Sequence, residues 1–127
     1  MKPTIKCGKH LALHAKLTGS RFEDVCLGDA EFDNVSLVRA KLHNINLSDI
    51  TVTAAQMGGA TFKHIGLPPG SKGKQRPIRF EEADLNGTTI AKSDLSGVKI
   101  EGCNIQGMMI DGISVADLIT TYKQTRK

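Results

Sequence analysis

The chain has 127 residues with no Trp, one Tyr, four Phe, 24% charged residues and a net charge of +4. That length suits one domain, the charged share is that of a folded protein rather than a disordered one, and the scarcity of rings excludes a conventional aromatic-rich core. Three widely spaced cysteines, Cys7, Cys26 and Cys103, make a poor disulfide framework, and no apolar run reaches membrane-spanning length, so the expectation is a cytoplasmic protein with reduced thiols.

Residues 1–10 lack the apolar stretch of a signal peptide. Cys7, His10 and His14 have the outline of part of a zinc site, but no fourth ligand stands at a conventional spacing, so no metal is expected. Leu11, Leu13, Ala15 and Leu17 alternate with a period of two, which predicts a short strand leading out of an irregular cap over residues 1–14.

From Leu17 a different period takes over. Every fifth residue is large and apolar: Leu17, Phe22, Leu27, Phe32, Leu37, Leu42, Leu47, Val52, Met57, Phe62 and Leu67. Two positions earlier in each unit stands a small or β-branched residue, from Ala15 through Val25, Ala30 and Ala40 to Ile65. A helix repeats at 3.6 and a strand at 2.0, so neither produces this pattern. Five-residue sides closing into a square do: two residues of five point inward, and successive coils stack at roughly 4.8 Å.

The rhythm stops over residues 68–77, Pro68-Pro69-Gly70-Ser71-Lys72-Gly73-Lys74-Gln75-Arg76-Pro77, and resumes in a new phase with Phe80, Leu85, Ile90, Leu95, Ile100, Ile105, Ile110 and Val115. The thirteen-residue step from Leu67 to Phe80 marks an insertion. Bracketed by prolines, it is expected to project from the body, and Lys72, Lys74, Gln75, Arg76 and Arg79 are its candidate partner-binding residues. It lacks the glycine and lysine spacing of a phosphate loop. In both phases the site two after the central apolar residue is a corner. Gly87, Gly97, Gly102, Gly107 and Gly112 occupy it in the second phase, and Asp24, Asp29, Asn34, Asn44 and Asp49 in the first. These residue types tolerate positive φ.

Ser114-Val115-Ala116-Asp117 then reads as a capping box, and Val115, Leu118, Ile119 and Tyr122 lie on one helical face. A short helix should close the last coil over residues 114–127. Met108, Met109, Val115, Leu118, Ile119 and Tyr122 form a candidate cap or dimer surface.

Ala30-Glu31-Phe32-Asp33-Asn34, Ala40-Lys41-Leu42-His43-Asn44, Ala83-Asp84-Leu85-Asn86-Gly87 and Ser93-Asp94-Leu95-Ser96-Gly97 resemble the A(D/N)LXX consensus of pentapeptide-repeat proteins. The resemblance covers about residues 15–115, with repeats at about 15–67 and 78–115. It implies a single all-β domain, a right-handed quadrilateral parallel β-helix of about five coils, with a C-terminal end of the kind that often forms a homodimer.

No Ser/His/Asp or Cys/His triad can be placed, and carboxylates twenty apart, such as Asp29 and Asp49, would lie on an exposed wall without a cleft. The expectation is a protein that is not an enzyme and uses no cofactor: a protein–protein interaction or scaffold module whose partner the sequence does not name. The resemblance supplies an alternative, since some members of the family mimic DNA and bind DNA gyrase. Net charges of −3 over residues 22–67 and −5 over residues 80–118 point that way, against +5 over residues 1–21 and +4 over residues 68–79. Direct nucleic-acid binding is disfavoured by the lack of aromatic stacking platforms.

Overall fold

The backbone turns at every fifth residue because at every fifth residue it enters the left-handed region. The computed structural model describes residues 5–126, and in it φ is positive at His14, Gly19, Asp24, Asp29, Asn34, Arg39, Asn44, Asp49, Ala54, Gly59 and His64. After the insertion the same spacing returns at Glu82, Gly87, Lys92, Gly97, Gly102, Gly107 and Gly112. From Gly19 onward these are the corner sites expected from the sequence, two after each central apolar residue.

The corners are of two kinds in strict alternation, so the structural unit is ten residues. One kind is a closed turn in which the carbonyl of the central apolar residue accepts from the amide three residues on. Such turns join Leu17 to Ser20 (3.1 Å), Leu27 to Ala30 (3.0 Å), Leu37 to Ala40 (3.0 Å), Leu47 to Ile50 (3.2 Å) and Met57 to Ala60 (3.0 Å). Later ones join Leu85 to Thr88 (3.0 Å), Leu95 to Val98 (3.1 Å) and Ile105 to Met108 (3.0 Å). Positive φ at the third residue alone marks them as type II turns. The other kind is an open bend, at His14, Asp24, Asn34, Asn44, Ala54 and His64 and again at Glu82, Lys92 and Gly102.

At four of the closed turns the side chain just before the central apolar residue adds a bond of its own. Asn46, Asp84, Asp94 and Asn104 each accept through Oδ1 from the amide two residues on, that of Ser48 (2.9 Å), Asn86 (3.0 Å), Ser96 (2.9 Å) and Gln106 (3.0 Å). This Asx bond pins the turn from inside its own unit. The open bends carry Arg21, Glu31, Lys41, Thr51, Thr61, Arg79, Thr89 and Lys99 at the same site, none of them an Asx residue. The D/N of the repeat consensus is thus a turn lock where it occurs, and the closed turns that follow Lys16, Cys26, Ser36 and Gln56 form without it.

Two units divide the chain, residues 1–60 and 61–127. In the first, turns and bends make up all that is described. The alternation Leu11–Leu17 does not form the expected strand: His14 at φ 51 breaks the extended backbone and is already the first corner of the five-residue rhythm. The second unit adds a β-hairpin and a helix at its C-terminal end. Strands β1, Met109–Ile110, and β2, Ile113–Ser114, pair antiparallel with Met109 opposite Ser114 and Ile110 opposite Ile113. Helix α1 follows at Val115–Thr125.

Contacts are local throughout: no two described residues twelve or more positions apart come within 8 Å between Cα atoms. Pairs twenty apart, such as Asp29 and Asp49, are therefore not brought together, and what the structure describes is the corner geometry. The central apolar residues remain open, Phe32 and Phe62 at 64% and Leu27 at 48% exposure. Among the described residues only Ile105, Met108, Ser114 and Val115 are half-buried.

Candidate interaction site

Two places depart from the plain repeat, and both were legible as departures in the sequence. The first is the insertion. Pro68, Pro69, Gly70 and Ser71 form a turn in which the Pro68 carbonyl accepts from the Ser71 amide at 3.1 Å, with Gly70 at φ 83. Proline at the second position and glycine at the third is the composition a type II turn requires. Lys72, Lys74, Gln75 and Arg76 follow and are exposed. The Arg79 guanidinium pairs with the Glu81 carboxylate across Phe80. Arg21 and Glu23 make the same pair across Phe22 at 3.0 Å, so Arg79 belongs to the opening of a repeat as much as to the loop. Both pairs are highly exposed and contribute little to stability.

The second place is the C-terminal end. The Val115 amide donates to the Met108 carbonyl at 3.1 Å, tying the root of α1 to the start of the hairpin. Ser114 caps the helix, its Oγ accepting from the Asp117 amide at 3.3 Å, and Asp117 and Lys123 lie in the first and last turns, where their charges suit the helix dipole. An apolar hollow of about 220 Å³ lies beside the helix, lined by residues that include Ile100, Cys103, Ile105, Met108, Val115 and Ile119. The Cys103 thiol donates to the Glu101 carbonyl at 3.2 Å.

The predicted cap surface therefore divides. Met108, Val115 and Ile119 line the hollow, the first two half-buried and Ile119 exposed, while Met109, Leu118 and Tyr122 lie outside that lining and are exposed. The Arg126 guanidinium lies 5.3 Å from the Tyr122 ring centroid, a cation–π contact at the exposed end of α1. Sequence reasoning missed the hairpin. Its signal was present, an Asp-Gly pair between apolar residues: Asp111 at φ 47 and Gly112 at φ 79 give the two left-handed residues of a type I′ turn. The five-residue count masked it, because Gly112 also falls on a corner.

Titration adds one feature. The Ser96 hydroxyl and amide both donate to the Asp94 carboxylate and hold its pKa below the usual carboxylate value. Among the described residues no group of three or more His, Cys, Asp or Glu is placed to hold a metal ion, and the described cysteines, Cys7, Cys26 and Cys103, are free and exposed. No helix is long and apolar enough to cross a membrane among the described residues.

Comparison with known proteins agrees with the corner geometry. A family model for pentapeptide repeats matches eight copies, over residues 15–53 and 78–112. No curated protein and no solved structure matches the chain. The corner backbone runs beyond the first matched stretch, since Ala54 at φ 53, Gly59 at φ 79 and His64 at φ 56 keep the same beat. With more than half of its length matched and a left-handed corner at every fifth residue on either side of the insertion, the chain belongs to the pentapeptide-repeat family.

Proposed function

We propose that this chain is a non-enzymatic scaffold or protein–protein interaction module, built as a right-handed four-sided β-helix of about five coils. Pentapeptide-repeat proteins are in general solenoids that serve structural and interaction roles. The observation that carries the reading is the regular corner pattern interrupted once, by a proline-bracketed basic loop. A repeat that presents the same face at every turn offers little to distinguish one partner from another. Lys72, Lys74, Gln75 and Arg76 supply a local departure with positive charge, suited to an acidic protein surface.

Closure of the sides into stacked coils is supported by the apolar residue at every fifth position. Burying a Leu, Ile or Phe side chain is worth about 1.5–3 kcal/mol, and an open series of such residues is the driving force for coil-on-coil packing. The exposed Met109, Leu118 and Tyr122 at the C-terminal end are the corresponding surface for a homodimer.

One observation favours a second reading: the repeats carry the acidic excess, −3 over residues 22–67 and −5 over residues 80–118. An acidic rod is the form in which members of this family mimic DNA and bind gyrase. A gyrase supercoiling assay with and without a quinolone, run beside a variant lacking residues 69–76, separates the two. The interaction-module reading predicts that supercoiling is unaffected and that a partner captured by the intact chain is lost with the loop. Inhibition or drug rescue by the intact chain would replace that reading with DNA mimicry, and binding that survives the deletion would remove the loop from the account.

A further inference from the structure

We propose that the basic insertion replaces none of the solenoid's sides. It is an excursion that leaves and rejoins one corner, so contact with an acidic partner is carried by the loop alone and the coil closes without it. The inference rests on the four-sided reading above and deepens it. The step from Leu67 to Phe80 is thirteen residues, five for one side and eight to spare. The stretch from Pro68 to Pro77 carries Lys72, Lys74 and Arg76 and no acidic residue.

The alternation of corners decides how many sides the insertion hides. Before it, the open bends at Ala54 and His64 enclose the closed turn from Met57 to Ala60. After it, the open bends at Glu82 and Lys92 enclose the closed turn from Leu85 to Thr88. Between His64 and Glu82 the closed turn runs from Pro68 to Ser71, one residue later than the count from Leu67 requires. The order open, closed, open therefore passes through the insertion. One hidden side would set two corners of the same kind in succession, and two hidden sides need three five-residue steps, more than the thirteen residues present. Gly73 also bends the loop, but at φ 106, outside the 51–83 range of the repeat corners. Arg79 and Glu81 flank Phe80 as Arg21 and Glu23 flank Phe22, and each Phe precedes an open bend.

With no side hidden, a four-sided coil stacks Phe62 on Ile90, Leu67 on Leu95, Phe80 on Ile100 and Leu85 on Ile105. A hidden side would instead stack Phe62 on Leu85. In the structure residues 62–64 and 91–93 border one hollow, the segments that the first register pairs, and stacking closes that gap.

Two variants test the register. In a chain carrying Cys7→Ala, Cys26→Ala and Cys103→Ala, Lys63→Cys with Ala91→Cys should form an intramolecular disulfide in glutathione buffer. Cα atoms stacked at roughly 4.8 Å fall within the about 4.4–6.8 Å span of that bond. Lys63→Cys with Asn86→Cys, the pair that a hidden side would stack, should stay reduced. A disulfide in this second pair would overturn the register while leaving a four-sided coil in place, and none in either pair would overturn both. Deleting Pro69 and residues 71–77 joins Leu67-Pro68-Gly70-Ile78-Arg79-Phe80, which restores the five-residue step with Pro-Gly at the middle of a type II turn. Its urea midpoint should be no lower than the parent's, because the shorter connection costs less closure entropy; a lower midpoint would overturn the proposal. Binding of a poly-glutamate probe, measured at constant ionic strength, should fall at least ~10-fold in this deletion. No binding by the parent, or equal binding by both chains, would overturn the loop as the contact surface.

Discussion

At the scale of single residues, the fold is a sequence of backbone choices, and adjacent glycines show how sharply they differ. Gly58 and Gly59 are the two middle residues of one closed turn. A Cβ at either would meet no atom within 4 Å, yet only Gly59, at φ 79, is left-handed. Gly59→Ala should therefore cost about 1 kcal/mol, whereas Gly58→Ala should stabilise by about 0.4–1 kcal/mol through the unfolded chain. Urea denaturation of the two variants reads the difference, and a shift of the same sign in both would contradict the turn assignment. Asp94 gives a pH signature. Its pKa is lowered from 3.8 in the folded chain, so it contributes stability that is present above that value and is lost as pH falls through the lower folded one. Asp94→Asn keeps the acceptor oxygen, as Asn46 and Asn104 do at their own turns, and should flatten the acid limb of the stability profile below about pH 4. Most of this scale was legible in the sequence, because Gly, Asn and Asp announce left-handed corners. Arg39, Ala54, Glu82 and Lys92 do not, and only the five-residue count places them there.

At the scale of elements, the C-terminal helix was readable because capping and amphipathic spacing are local signals that coincide at Ser114–Tyr122. Ser114→Ala should cost about 1 kcal/mol and reduce helicity by circular dichroism, while an unchanged signal would show that the cap is idle. The hairpin before it was hidden by an overlap of two codes at Gly112, and the strand expected over residues 11–17 failed because a period of two in the side chains does not prevent a left-handed corner at His14. The apolar surface tests separately. Leu118→Glu with Tyr122→Glu changes two exposed residues outside the hollow. If they form a dimer contact, light scattering should report a dimer for the parent chain and a monomer for the variant; the same mass for both would remove this surface from the proposal.

At the scale of the whole molecule, the repeat sequence encodes its corners locally, by backbone preference and at four closed turns also by Asx bonds, and each bond lies within about three residues. Pairing between coils has no such local code. In the proposed solenoid it would rest on apolar residues about twenty apart along the chain, and non-local contacts of that kind pay loop-closure entropy before they gain burial. The insertion at residues 68–77 was visible as a broken count, but its partner was not, because charge alone fixes the sign of a surface and not its identity. The central claim is that these corners close into a stacked solenoid. Amide hydrogen exchange, resolved by residue, tests it most directly. The account predicts protection recurring every five residues around the central apolar positions, from Leu17 to Phe62 and from Phe80 to Ile105, with rapid exchange over residues 68–77. Rapid exchange across all the repeats, with protection confined to the hairpin and helix between Met109 and Thr125, would contradict it.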